Sequence, residues 1–233
     1  MQSYPHRSLG SFVILLVCLL PPASVAQTPP SEAQIQGFTG LHAAAHAGNI
    51  SEIERLIAAG AKPDTRNERV RTALHIATFA RQAEAIRTLT KAGATLELLD
   101  GERYDPVTIA AVANDELTLS LLLLLGASAK QVTSRYDGTA LIAAAHLGHD
   151  GVVKQLSAAG APLDHVNNLH WTALIEAVVL GDGGMRHIET VRALVSAGAD
   201  TQLSDSTGRT PLQLAKANGY REIIEILHKA GAR

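Results

Sequence analysis

Apolar residues along this chain fall into short stripes with helical spacing, and the stripes recur. Ile53, Leu56 and Ile57 stand at i, i+3 and i+4, the spacing of one buried helix face. Similar sets follow at Ile86 and Leu89, at Leu119, Leu122 and Leu123, and at Val152, Val153 and Leu156. They continue at Val191, Leu194 and Val195, and at Ile224 and Leu227. Each stripe ends at a Gly-Ala pair, with the glycines at 60, 93, 126, 160, 198 and 231. A second anchor precedes each glycine: Thr39, Thr72, Asp105, Thr139, Thr172 and Thr210, each opening a second, shorter helical pattern. Five anchors lie 21 residues before their glycine, and Thr172 has five more residues in between. A repeat of this period means units that cannot bury their apolar faces alone and must stack on neighbours. The pattern predicts an all-α repeat solenoid of helix-turn-helix units joined by extended residues and turns.

One unit shows the physics. Asp137-Gly138 is a turn pair, and the Thr139 hydroxyl can cap the free N–H groups of the helix that follows. Leu141 and Ala143 to Ala145 give that helix an apolar side whose alanines allow close approach. Gly148-His149 ends it, the 152–156 stripe follows, and Gly160 with Pro162 stops the second helix. The units span about 38–66, 70–99, 103–132, 137–166, 170–204 and 208–233. The extra residues of the fifth fall within Gly181–His187, between its two helices, where an insertion is either a binding loop or a neutral change in length.

These residues resemble the ankyrin repeat. Thr72-Ala73-Leu74-His75 and Ser206-Thr207-Gly208-Arg209-Thr210-Pro211-Leu212 carry the resemblance best, over about residues 38 to 233. It implies six stacked repeats, each a helix-turn-helix plus a β-hairpin, and structural roles for His42 and His75, whose rings bond backbone in the adjacent turn. Asp105 and Thr108 depart from the family's Thr and His, and Arg81 replaces the interhelix glycine. The second and third repeats are therefore expected to be the looser ones.

The first 26 residues stand apart. Arg7, the apolar run Leu9–Leu20, Pro21-Pro22 and Ser24-Val25-Ala26 have the layout of a secretory signal peptide cleaved after Ala26. The run is short for a bilayer span, so no stable membrane insertion is expected after cleavage. Cys18 is the only cysteine, and an exported chain without disulfides points to a periplasmic or secreted protein held by packing alone. Residues 27–37, polar and with Pro29-Pro30, read as a flexible lead-in. Without Arg7 the chain carries 19 basic and 22 acidic residues, a balance that favours neither nucleic acid nor membrane as partner.

Little points to catalysis. Thr72, Thr139 and Thr210 read as caps, and Gly181-Asp182-Gly183-Gly184 lacks a P-loop lysine. No nucleophile, base and acid converge in the pattern, so the protein is expected not to be an enzyme, with a hydrolase the minor alternative. His42 and His46 have metal-chelating spacing, but two ligands do not complete a site. No cofactor or metal is expected. A small-ligand or metal-binding module built on groove histidines, including His146, is the runner-up.

The leading reading is a scaffold that binds another protein. The resemblance implies binding through the hairpin tips and the exposed side of each first helix. Arg69, Arg71, Arg103, Tyr104, Arg135, Tyr136, His170, Trp171 and Arg209 fall at the tips. Phe79, with His46, Val112, His146, Val179 and Leu180, falls on the first-helix side. Trp, Tyr and Arg dominate interface energetics, so this row is the candidate partner site. Its arginines suggest that the partner offers an acidic segment.

Overall fold

Thirteen helices order the described chain, twelve of them in six antiparallel pairs. The computed structural model describes residues 27–233, and the expected signal peptide of residues 1–26 lies outside the described residues. A short helix α1 (Glu32–Gln36) comes first. The pairs are α2 (Gly40–Ala47) with α3 (Ile50–Ala58), α4 (Ala73–Phe79) with α5 (Ala83–Lys91), and α6 (Pro106–Val112) with α7 (Glu116–Leu124). Then come α8 (Ala140–Leu147) with α9 (Asp150–Ala158), α10 (Ala173–Val179) with α11 (Met185–Ala197), and α12 (Pro211–Asn218) with α13 (Arg221–Lys229). First helices stack on first helices and second on second, so the core runs the length of the array. No helix among the described residues is long and apolar enough to cross a membrane.

The stripes read from the sequence face this core. Ile53, Ile86, Leu89, Leu119, Leu122, Leu156 and Leu194 are fully buried. Ala45, Ala77, Ala111, Ala144, Ala145 and Ala177 let the first helices approach closely. The hydroxyls of Thr72, Thr139, Thr172 and Thr210 accept from the backbone N–H three residues on, as helix caps. Asp105 does the same, accepting from Thr108 N at 2.7 Å. Arg81 meets the glycine position by taking φ +56°, a conformation side chains rarely adopt. Both departures are thus accommodated, and Ile76, Leu74 and Ile109 of those repeats are as buried as their counterparts.

Two expectations need amending. Residues 27–37 carry a capped helical turn, Ser31 and Gln34 forming a capping box, and Gln27 is only 7% exposed. Of the insertion, Met185 to His187 are helical, so α11 has 13 residues where the other second helices have nine. The new turn is clasped from both sides. His187 Nε2 lies 3.1 Å from His146 O, and Arg186 Nη2 donates to Leu147 O at 2.8 Å. On the other side Tyr220 donates its hydroxyl to Gly181 O at 2.8 Å. The insertion packs onto its neighbours rather than projecting as a loop.

Candidate functional site

The tips are built by one device repeated. Five residues before each anchor from Thr72 onward stands a short polar side chain: Asn67, Asp100, Ser134, Asn167 and Asp205. Asn67 Oδ1 accepts from the N–H of Arg69 and Arg71, both at 3.0 Å. Asp100, Asn167 and Asp205 bind the N–H groups two and four residues on in the same way, and Ser134 Oγ accepts from Tyr136 N. Side-chain oxygens of this kind stand in for a backbone turn. Among the described residues a regular two-residue ladder forms only between Val132–Thr133 and Gly138–Thr139. Successive tips are then tied by backbone bonds: Gly101 N to Arg69 O, Ser134 N to Arg103 O, and Asn168 N to Tyr136 O. The row is therefore a held surface and not a set of independent loops.

Within it the expected site residues divide. Arg69, Arg103, Arg135, His170 and Arg209 are exposed. Arg103 and His170 project from positive-φ backbone, at +65° and +61°. Three of these arginines are already paired: Arg103 with Asp137 at 3.4 Å, Arg135 with Glu102 at 3.1 Å, and Arg209 with Asp205 at 3.0 Å. Pairing makes the tip row less electropositive than its arginines alone suggest.

Arg71 is a correction. Expected at an exposed tip, its side chain is 3% exposed. Its Nε donates to Asp100 Oδ2 at 3.0 Å, and its guanidinium carbon lies 4.5 Å from the centre of the Phe79 ring. Its Nη2 donates to the backbone oxygen of Thr28 at 2.8 Å. Phe79 is thereby occupied from within the chain. Trp171 is half-buried and packs against the hydrophobic core, so it is partly structural.

Tyr104 and Tyr136 are the expected residues that the fold brings together. They line a pocket of about 80 Å³ between the tips and the first helices, with Thr108, Ile142, His146, Asn167 and Glu176. Burial pushes the Tyr104 phenol above its ordinary range. The pocket holds a group that sequence reasoning missed. Glu176 is 4% exposed, accepts from Asn167 Nδ2 at 3.0 Å, and has His146 Nδ1 at 3.1 Å from its other oxygen. A signal for it existed: four residues after each anchor stand Ala43, Ile76, Ile109, Ala143, Glu176 and Leu214, apolar everywhere but here. Gln27 also reaches this pocket from the lead-in.

The other histidines serve the scaffold. His42 Nε2 lies 2.9 Å from Arg71 O, and His75 Nε2 lies 2.9 Å from Leu98 O, as the family resemblance implied. Burial lowers the His75 pKa to about 4, so the ring is neutral. His149 Nδ1 lies 3.0 Å from Ala111 O. Among the described residues no three His, Cys, Asp or Glu side chains are grouped to hold a metal.

Comparison with known proteins agrees with this geometry. A profile for ankyrin repeats (3 copies) matches residues 107–205, and one for ankyrin repeats (many copies) matches residues 41–90. The ankyrin repeat protein YahD of Escherichia coli K12 is 34% identical over 190 residues, covering 81% of this chain and 94% of that protein. An ankyrin repeat domain from Acinetobacter baumannii superposes with a TM-score of 0.78 at 42% identity, covering 83% of this chain and 98% of that one. The ankyrin repeat domain of Bcl-3 gives 0.75 at 28% identity, over 84% and 88% of the two chains.

Proposed function

The chain belongs to the ankyrin repeat family, and from that premise we propose that it is an exported, non-enzymatic scaffold holding a protein partner. Ankyrin repeat domains typically act as protein–protein interaction modules. The observation that carries the reading is the tied row of tips beside the Tyr104–Tyr136 pocket. Such a surface is pre-organised, so little of the binding energy is lost to ordering loops. Tyr104 and Tyr136 supply aromatic anchors, and Arg69 adds an exposed cation. Arg103, Arg135, His170 and Arg209 form the polar rim, where exposed ion pairs rearrange at small cost.

Export rests on the layout of residues 1–26, and it sets the compartment in which the partner is sought. The test is affinity capture from periplasm with the processed protein as bait. Captured partners are then compared between the native chain and the double variant Tyr104→Ala, Tyr136→Ala. A partner retained equally by both chains would place the interface elsewhere. Mass spectrometry of exported material should show a chain beginning at Gln27, and an intact Met1 would overturn the export reading.

A further inference from the structure

The lead-in does not simply precede the array; it lies along the groove. Gln27 enters the pocket lined by Tyr104, Tyr136, His146 and Glu176, and Thr28 offers its carbonyl to Arg71 one repeat earlier. Pro29 and Pro30 follow, and α1 starts at once over the first repeat. Thr28 precedes a proline and both prolines have fixed φ, so the segment favours an extended, polyproline-like form. Grooves walled by aromatic rings recognise that form because it loses little entropy on docking.

The occupant fits imperfectly. Gln27 is 7% exposed, yet its Nε2 has no hydrogen-bond partner among the described residues. Glu176 sits in the same pocket, buried, with an asparagine amide and an imidazole but no lysine or arginine beside it. A buried carboxylate calls for a cation. A donor without an acceptor and a carboxylate whose one ionisable partner is an imidazole therefore share one pocket.

We propose that the groove is a recognition site for an extended, proline-containing peptide with Lys or Arg at the position Gln27 now fills, and that residues 27–30 are its resident occupant in cis. The partner's cation pairs with Glu176 between the rings of Tyr104 and Tyr136, and its next carbonyl takes the Arg71 Nη2 that Thr28 holds. Tethering gives the cis segment a high local concentration, so a weak fit suffices to keep casual peptides out. The inference rests on the groove reading proposed above and adds the sign and form of the partner.

The experiment uses the purified protein, isotopically labelled for NMR, with acetyl-Lys-Thr-Pro-Pro-amide and acetyl-Gln-Thr-Pro-Pro-amide as probes. In the native chain alone, NOEs are expected from the Gln27 side-chain amide to the Tyr104 and Tyr136 rings, and their absence overturns the strap. On titration the lysine peptide should shift Tyr104, Tyr136 and His146, binding the Gln27→Ala variant at least fivefold more tightly than the native chain. The glutamine peptide should bind that variant at least fivefold more weakly than the lysine peptide does. Adding Glu176→Gln, which keeps the side chain's shape, should erase the preference between the two. Equal binding of the two peptides to Gln27→Ala, or shifts outside the groove, overturns the cation site. Should Glu176→Gln prove unfolded by circular dichroism, the preference of Gln27→Ala for the lysine peptide decides the cation site, and Tyr136→Ala, which should weaken both peptides, decides the groove. Failure here removes the strap and the cation, while the tip surface is judged separately by its own partner variants.

Discussion

The imidazole Nε2 of His75 lies 3.2 Å from the backbone oxygen of Tyr104, so a buried histidine of the second repeat is joined to the residue that leads into Asp105 of the third. Both titratable groups are displaced, in directions that oppose each other. Burial lowers His75 from 6.5 to about 4 and raises Asp105 from 3.8 to about 6.

The pH dependence follows from those signs. Between pH 6.5 and 4 the unfolded chain protonates His75 and the folded chain does not, so this term falls as pH drops. Between pH 3.8 and 6 the folded chain keeps a proton on Asp105 that the unfolded chain has lost, so that term falls as pH rises. Each is worth roughly 2–3 kcal/mol, and over about pH 4–6 they offset. Relative to the native chain, His75→Gln should therefore gain stability as pH falls from 6.5 to 4. Asp105→Asn, which keeps a capping oxygen, should lose it over about pH 6 to 4. Urea unfolding at half-unit pH steps measures both; curves parallel to the native one would show that neither group is displaced.

Leu122 and Leu194 are fully buried in the second helices of the third and fifth repeats, α7 and α11. Truncation of either to alanine should cost about 2–5 kcal/mol, the range for buried leucines that leave a cavity. Because each repeat touches only its neighbours, the loss should appear first as local loosening. Hydrogen exchange resolved by residue should quicken around α7 for Leu122→Ala and around α11 for Leu194→Ala. Unchanged melting of both variants would mean that the stripes are not core.

The insertion gives a third test. Gly183 has φ +68°, and a Cβ there would run into the Tyr220 ring. Gly183→Ala should destabilise the last two repeats by more than 1 kcal/mol, combining backbone strain with the displaced ring. Tyr220→Phe, which loses only the bond to Gly181 O, should cost about 1 kcal/mol. If Gly183→Ala melts as the native chain does, the clasp contributes nothing and the insertion regains its standing as a free loop.

How legible the chain was depends on what each residue answers to. Ile53, Leu89 and Leu156 were readable because a stacked helix pair must bury one face, which fixes their spacing. Thr72 and Thr210 were readable because a cap is a local matter. Arg71 was not. It stands one residue before the anchor, and its neighbours along the turn face outwards, so the tip as a unit looked exposed. Its burial comes from Asp100 in the following tip and Thr28 in the lead-in, 29 and 43 residues away. Glu176 hid for the opposite reason: weighed alone it is one carboxylate among many, and only alignment of the repeats shows a charge where apolar residues belong.

The tips give the last prediction. Tyr104 and Tyr136 line the pocket and Trp171 packs against the core, so the three aromatics should separate in two measurements. The double variant Tyr104→Ala, Tyr136→Ala should weaken a captured partner by about 2 kcal/mol or more, the loss expected for central anchors. Trp171→Ala should act mainly on stability, lowering the melting temperature of the chain before it alters the affinity of folded protein. Among the arginines, Arg69→Ala should change the association rate most at low salt, in a direction that reports the sign of the partner's charge, because an exposed charge acts chiefly on encounter. Arg103→Ala and Arg135→Ala should change the rate less, since Asp137 and Glu102 already compensate their charge. Surface binding kinetics at two salt concentrations separates these cases. A partner whose affinity is untouched by the double tyrosine variant, with the fold intact by circular dichroism, would move the interface off the groove.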